Sequence, residues 1–389
     1  MTLSIGILTH STNPRGGVVH GMALAEALCD AGHEATLIAP DAGGAGFFRT
    51  PRCAVRCIPV PEMRDLSARV ECHVAAMREA LRDARYDVLH AQDPISANAL
   101  ADLVVEGRIS GFARTVHHLD RFADPGLAFR QARGLRAAAE LFTVSALWER
   151  TLLAEWGRVA PVVGNGVDPL RFSPEEKEQD RALWARHGVP PDRHLILSVG
   201  GIERRKNTLA LLEAFLRLRA VRADVHLAVV GGASLLDHSD YRAAFAALLS
   251  ASGHADSVTV TGPVADADMG AFYRQAAVLA YPSHCEGFGL CPVEALACGT
   301  PVIVPDAAPF TEHLRGDEAL WCVPERPDTL ASALHDALRP GCRARFGAVG
   351  PAVARRFRWH DVAVRHIPAY RRLAALPRAG VLQESSINA

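Results

Sequence analysis

Glu286-Gly-Phe-Gly-Leu-Cys-Pro-Val-Glu294-Ala-Leu-Ala-Cys-Gly299-Thr-Pro301 packs a glycine loop, a short helix and the start of a strand into one run. Pro292 stands where a first helical residue belongs, because its missing N–H would be unpaired there in any case. Gly299 supplies the C-terminal stop, and Pro301 bars continuation. A strand-like segment precedes the run at Val278–Ala280 and another follows at Pro301–Val304. Strand, loop, helix and strand at this spacing form a βαβ unit, which is built on a parallel sheet.

The same alternation extends outward in both directions. Leu195–Val199, Val225–Val230, Val258–Thr261 and Leu320–Val323 read as further strands, with helices over Thr208–Ala220, Tyr241–Ser252 and Asp268–Ala276. Upstream, Leu3–Leu8, Glu34–Ala39, Val55–Val60, Val88–His90, Ala113–His117 and Leu141–Val144 repeat the pattern, with helices such as Val18–Asp30 and Ala68–Ala84. The reading is an α/β protein of two doubly wound domains, residues 1–166 and 167–357, facing each other across a cleft. A final helix over about residues 358–376 crosses back to the first domain. The turn-rich segment Val163-Gly-Asn-Gly-Val-Asp168-Pro-Leu-Arg-Phe-Ser-Pro174 is the hinge, and the tail after Pro377 is expected to fray.

Composition fits this and excludes several classes. A chain of 389 residues that is 49% hydrophobic can bury a core in each half. Lys and Arg total 42 against 43 Asp and Glu, so no global basic field exists to hold nucleic acid. The nine cysteines include no Cys-x-x-Cys pair and read as reduced, buried hydrophobes, with no disulfide framework or zinc site. The chain opens directly into a strand, without a charged leader or long apolar segment, which points to a cytoplasmic protein. Arg130, Arg133 and Arg136 form a basic helix edge. A solvated or acceptor-binding face is the favoured reading of it over peripheral membrane contact.

The chemistry collects in loops that follow strands, where open α/β sheets bind ligands. Glycines at 287 and 289 admit a ligand close to the backbone, and the helix start beyond them favours an anion. Carboxylates on both sides, Glu286 and Glu294, suit hydroxyls beside phosphates, as in a sugar nucleotide. Glu294 would also be favourable simply as an early helical residue. After another strand, Val199-Gly200-Gly201-Ile-Glu-Arg204-Arg205-Lys206-Asn207 puts three cations in a row, apt to neutralise a diphosphate. As exposed loop residues, these cations are expected to carry little stability.

In the first half, Thr9-His10-Ser-Thr-Asn-Pro-Arg-Gly16-Gly17-Val opens a helix without the Gly-x-Gly-x-x-Gly spacing of a dinucleotide site. A nicotinamide dehydrogenase is thereby disfavoured. Thr115-Val-His117-His118 ends one strand and His90-Ala-Gln-Asp93 another. With His10, these make His90, Asp93 and His118 candidates for the acceptor side. Asp266-Ala-Asp268 has metal-binding spacing, but Asp268 reads as a helix N-cap.

Taken together, the Glu286-to-Glu294 loop, Glu-x-Arg-Lys-Asn at 203–207 and Gly-Asn-Gly-Val-Asp at 164–168 resemble the retaining GT-B glycosyltransferases of family four. The opening Thr-His-Ser-Thr-Asn-Pro-Arg-Gly-Gly-Val resembles a bacterial branch of that family, and the resemblance spans about the whole chain. It implies a nucleoside-diphosphate sugar donor, UDP by family frequency, and an acceptor that is a small molecule or glycan. Because the cations at 204–206 and the helix starts offer charge compensation, no metal and no further cofactor are expected. By the same resemblance Arg205 and Lys206 hold the pyrophosphate, Glu286 a sugar hydroxyl and Glu294 the ribose. Amides of Phe288, Gly289 and Leu290 contact sugar or phosphate, Gly16 and Gly17 close on the diphosphate, and His117 lies over the sugar, with His118 directly after it the alternative histidine. Many members have Gly-Arg where this chain has Gly200-Gly201, which shifts the phosphate role to Arg204 or Arg205. A sugar-nucleotide epimerase or phosphorylase on the same frame, and a non-catalytic sugar-nucleotide-binding protein, are the rival readings.

Overall fold

The computed structural model describes residues 1–232 and 238–377. The tail after Pro377 lies outside the described residues. The described residues fall into two compact units: residues 1–166 with 359–377, and the described part of 167–358.

In the first unit the elements run β1 (Ser4–Leu8), α1 (Gly16–Asp30), β2 (Glu34–Asp41), β3 (Ala54–Pro59), α2 (Leu66–Leu81), β4 (Val88–Ala91), α3 (Pro94–Val105), β5 (Ala113–Val116), α4 (Pro125–Ala137), β6 (Glu140–Thr143) and α5 (Ala146–Trp156). The second unit contains α6 (Asp180–Arg186), β7 (His194–Val199), α7 (Thr208–Arg219), β8 (Val225–Val230), α8 (Ser239–Ser252), β9 (Val258–Gly262), α9 (Met269–Gln275), β10 (Val278–Ala280), α10 (Leu290–Ala297), β11 (Val302–Pro305), α11 (Phe310–His313), β12 (Leu320–Cys322), α12 (Pro327–Ala337) and α13 (Cys342–Ala354). The last helix, α14 (Trp359–Ala374), belongs to the first unit.

Each unit holds a six-stranded parallel sheet, in the orders β3-β2-β1-β4-β5-β6 and β12-β11-β10-β7-β8-β9. Strand order reverses between β1 and β4 in one unit and between β7 and β10 in the other, and at such points a crevice opens beyond the strand ends. The inner strands are largely apolar and buried on both faces because helices cover both, whereas the edge strands β3 and β9 stay partly exposed. Ile7, Leu37 and Val88 enter one core, while their chain neighbours Leu8, Ile38 and Leu89 enter the opposite one.

Helix α14 is part of the first core. Val362, Ala363, Ala369, Tyr370 and Leu373 pack with Leu24 and Leu28 of α1 and with Ile5 and Ile7 of β1. Burying each large apolar side chain there stabilises by about 1.5–3 kcal/mol, which makes the helix integral to that unit.

The boundaries differ from the sequence reading in two places that matter. Helix α10 starts at Leu290, so Pro292 is its third residue; the first four N–H groups lack helical acceptors, and the proline is harmless there too. Strand β5 ends at Val116, which leaves His117 beyond the sheet.

Candidate functional site

In the second unit the site is built where β7 and β10 end side by side. Gly200 and Gly201 follow β7 with φ of +121° and +78°. A Cβ on Gly201 would lie 2.7 Å from the carbonyl oxygen of Gly232, so no side chain fits there. This backbone contact and the positive φ together require glycine at this position. A Cβ on Gly200 would strike the Lys206 stem at 2.6 Å. The glycine therefore clears the path along which Lys206 reaches inward.

Lys206 donates to Glu286 Oε1 at 2.8 Å and to the Tyr281 hydroxyl, with its ammonium 4.3 Å from the Tyr281 ring centre. Arg205 donates to the same Glu286 oxygen at 2.7 Å and to the carbonyl of Cys285 at 3.2 Å. Burial alone would raise the Glu286 carboxyl, but the charges of Lys206 and Arg205 outweigh it and hold the group down at about 2. Two cations on one carboxylate leave this cluster with a net positive charge. Beside it, α10 begins at Gly289, whose φ of +95° brings the backbone against Phe310; a Cβ there would meet the ring at 2.4 Å. No side chain caps this helix start, so its first N–H groups are open to an anion.

Lys206 is only 8% exposed. That corrects the expectation of an exposed, dispensable loop cation: it is a buried partner of a buried carboxylate. Arg204, by contrast, is exposed and lies over the Tyr241 ring at 5.3 Å. The structure brings Arg205 and Lys206 to Glu286 and leaves Arg204 facing α8. The Phe288 side chain is buried and stacked on His313 with ring centres 4.5 Å apart, so only its backbone is available to a ligand.

Glu294, on α10, accepts a hydrogen bond from the Tyr273 hydroxyl at 2.8 Å. Burial raises its carboxyl to about 7, against the pull of Tyr273 and Arg171. Asp266 pairs with Arg171 at 2.5 Å. The expected cap by Asp268 is absent: the residue precedes α9, but its side chain makes no capping bond and approaches His187 at 3.8 Å instead. Among the described residues no group of three or more His, Cys, Asp or Glu has the geometry of a metal site.

In the first unit, residues from β1, β4 and β5 meet at the equivalent crevice. Helix α1 begins at Gly16 without a side-chain cap, and a Cβ on Gly17 would lie 3.3 Å from the His117 ring. His117 is held by Gln92, Nε2 to Oε1 at 3.0 Å, and meets His20 edge to face at 4.8 Å. His20 is fully buried, with Nδ1 2.7 Å from Asn165 Oδ1, so the Gly-Asn-Gly segment anchors the ring behind His117. Burial, with His20, His118 and Arg114 nearby, pushes the His117 pKa well below its ordinary value and keeps the ring neutral. His118 instead points to Asp120 at 3.4 Å.

His10 and Asp93 come together at 3.7 Å, Asp93 also capping α3 through the Ser96 amide. His90 is a correction. It is fully buried, its Nδ1 2.7 Å from the Tyr370 hydroxyl and its Nε2 2.9 Å from Thr115 Oγ1, so it is a core residue and not an acceptor contact. The basic edge of α4 is largely neutralised: Arg130 meets Glu71, Arg133 meets Asp102, and Arg136 lies over Trp156. Among the described residues no helix is long and apolar enough to cross a membrane.

Comparison with known proteins gives the family. Residues 15–166 match the glycosyl transferase 4-like domain, and residues 180–347 match glycosyl transferases group 1. A D-inositol 3-phosphate glycosyltransferase of Acidothermus cellulolyticus is 30% identical over 332 residues, covering 78% of this chain and 71% of the relative. The chain belongs to the family-four glycosyltransferases of the GT-B fold. A protein of the same name from Thermobifida fusca is 34% identical over 53% of this chain, and the chain spans about half the length of that relative, 48%. Among solved structures, a sucrose-phosphate synthase from Thermosynechococcus elongatus superposes with a TM-score of 0.78 at 21% identity, covering 96% of this chain and 99% of the other. Anabaena HepE, in complex with UDP-glucose, gives 0.77 at 18% identity, covering 95% and 100%.

Tyr281, Tyr273, Gln92, Asn165 and His20 contact the candidate residues, and the sequence reading gave none of them a role. Asn165 carried a signal as the central residue of the Gly-Asn-Gly motif, and His20 as one of two histidines flanking the N-terminal glycine loop.

Proposed function

We propose that the chain transfers a sugar from a nucleoside-diphosphate donor, UDP-linked by preference, to a hydroxyl-bearing acceptor with retention of configuration and without a metal ion. The reading rests on the cluster in which Arg205 and Lys206 share Glu286 beside the start of α10. Its net positive charge and open amides suit a diphosphate, while the carboxylate suits a sugar hydroxyl. The UDP-glucose complex of the structurally similar HepE supports the choice of donor, and the names of the relatives make inositol 3-phosphate the first acceptor to try.

In the proposed step the bond from the anomeric carbon to the phosphate oxygen breaks, and its electron pair leaves on the diphosphate. The acceptor hydroxyl forms the new bond on the same face and gives its proton to the departing phosphate. Arg205 and Lys206 stabilise the charge that appears there, as preorganised donors do. Glu286 accepts a bond from the sugar, Glu294 from the ribose, and His117 is assigned to the sugar. The test is a panel of nucleoside-diphosphate sugars, with nucleoside diphosphate release as the readout. Release from one donor, accelerated by an acceptor, is expected. Turnover only with inorganic phosphate, or none with any donor, would overturn the reading.

Because the two cations and the helix start already meet the diphosphate charge, EDTA is expected to leave the transfer rate unchanged. A rate abolished by EDTA and restored by magnesium or manganese would refute metal independence and turn attention to Asp266 and Asp268.

Glu294 introduces a pH dependence. Its folded pKa, about 7, lies above the ordinary 4.5, so the free protein carries it protonated below neutrality. The ionised carboxylate accepts ribose hydroxyls at both oxygens with charge-assisted bonds that the protonated form lacks, so tight binding below pH 7 is coupled to loss of a proton. UDP affinity should fall as pH drops from 8 to 5.5, by up to about tenfold per unit. Glu294→Gln should flatten that part of the profile, leaving only the titration of the phosphate itself. Identical pH slopes in the two proteins, measured calorimetrically, would remove Glu294 from the binding site.

A further inference from the structure

Gln92 stands between two histidines of different kinds. Its amide nitrogen is 3.5 Å from Nδ1 and 3.4 Å from Nε2 of His90. A group that close to both ring nitrogens within the ring plane would collide with the carbon between them. The amide therefore lies over the ring face, where an N–H donates to the electron-rich π surface and an oxygen would be repelled. His90 cannot swing aside, because Tyr370 and Thr115 hold its two nitrogens. This fixes which end of the Gln92 amide is which: nitrogen over His90, oxygen toward His117.

The consequence falls on His117. Gln92 Oε1 carries no hydrogen, so the 3.0 Å contact requires His117 Nε2 to be the donor. Gly17 covers the same Cδ2–Nε2 edge of the ring. Nδ1, on the other edge, has no hydrogen-bond partner among the described residues and does not belong to the enclosed polar atoms that lack one.

We propose that Gln92 is a positioning residue that locks neutral His117 as its Nε2–H tautomer, so that Nδ1 presents a bare lone pair to a hydroxyl of the bound sugar. His117 then acts as a hydrogen-bond acceptor for the sugar and never as a donor. The proposal rests on the reading that His117 lies against the sugar, and it adds the residue that decides what His117 can recognise. A donor whose hydroxyl at that position is replaced by fluorine or hydrogen loses the bond, since neither can donate.

The test joins a spectroscopic and a kinetic measurement on the full chain. Side-chain nitrogen NMR, with His117 assigned by comparison with His117→Asn, should show one protonated Nε2 and one unprotonated Nδ1 in the wild type. Gln92→Leu should give a mixture of tautomers. With the donor found by the panel, Gln92→Leu should lower kcat/KM about tenfold, the scale of one hydrogen bond, while leaving UDP affinity unchanged. Gln92→Leu/His117→Asn should be no slower than His117→Asn alone, because Gln92 acts through that ring. An Nδ1–H tautomer in the wild type, or additive losses in the double variant, would overturn the proposal. The tautomer is read without turnover, so failure of this inference is distinguishable from failure of the transferase reading.

Discussion

Glu286→Gln should lower sugar transfer by about 100-fold, the loss seen when one preorganised electrostatic group is removed from a transition state, while UDP binds at least as tightly as before. Both halves follow from the geometry. Glu286 holds Arg205 and Lys206 on one oxygen, and the neutral amide loses the charge-assisted bond to the sugar. The same change releases the two cations to an incoming diphosphate. The variant should be less stable by about 3 kcal/mol, because two neighbouring cations lose their counter-charge, and UDP should return part of that loss. Calorimetry with UDP and with the intact donor, beside a rate measurement, separates these effects. Wild-type turnover, or UDP affinity lost by a folded variant, would show that Glu286 does something else.

The second large effect is expected for Lys206→Ala. The ammonium is buried with Glu286 and Tyr281, so its loss takes away the buried partner of that carboxylate and leaves it to the half-exposed Arg205. Breaking such a pair costs about 3–5 kcal/mol. UDP affinity should fall by about 1–3 kcal/mol as well, the worth of a hydrogen bond to a charged group. Arg205→Ala should weaken UDP similarly but cost far less stability, since its side chain is 32% exposed and screened by solvent. Equal melting temperatures for the two variants would contradict the assigned difference in burial. The depressed Glu286 pKa gives a matching acid signature. Its contribution to stability is complete above about pH 4.5 and is lost as pH falls toward 2.

The twelve strands of the described residues were legible in the sequence, the inner ones because strands covered on both faces read as apolar runs such as Val278–Ala280. The two carboxylates, Arg205, Lys206 and the glycine loop were legible for a related reason: a strand end followed by a helix start is a local pattern. What could not be read was pairing across the chain. Lys206 meets Tyr281 across 75 residues, His20 meets Asn165 across 145, and His90 meets Tyr370 across 280. No local periodicity encodes such partners. His90 and His117 look alike in sequence, each at a strand end. They part because His90 still lies within β4 and packs under α14, whereas His117 falls just past β5 against Gly17. The misjudged exposure of Lys206 has the same origin, since only the fold reveals that Gly200 opens a path inward.

The central claim is most directly tested by following the anomeric proton during slow hydrolysis of the donor chosen by the panel, with water as acceptor. Transfer with retention predicts that an α-linked donor first yields the α-anomer of the free sugar together with one nucleoside diphosphate, and that Glu286→Gln suppresses both. The β-anomer appearing first would contradict the account, as would sugar release that is indifferent to Glu286.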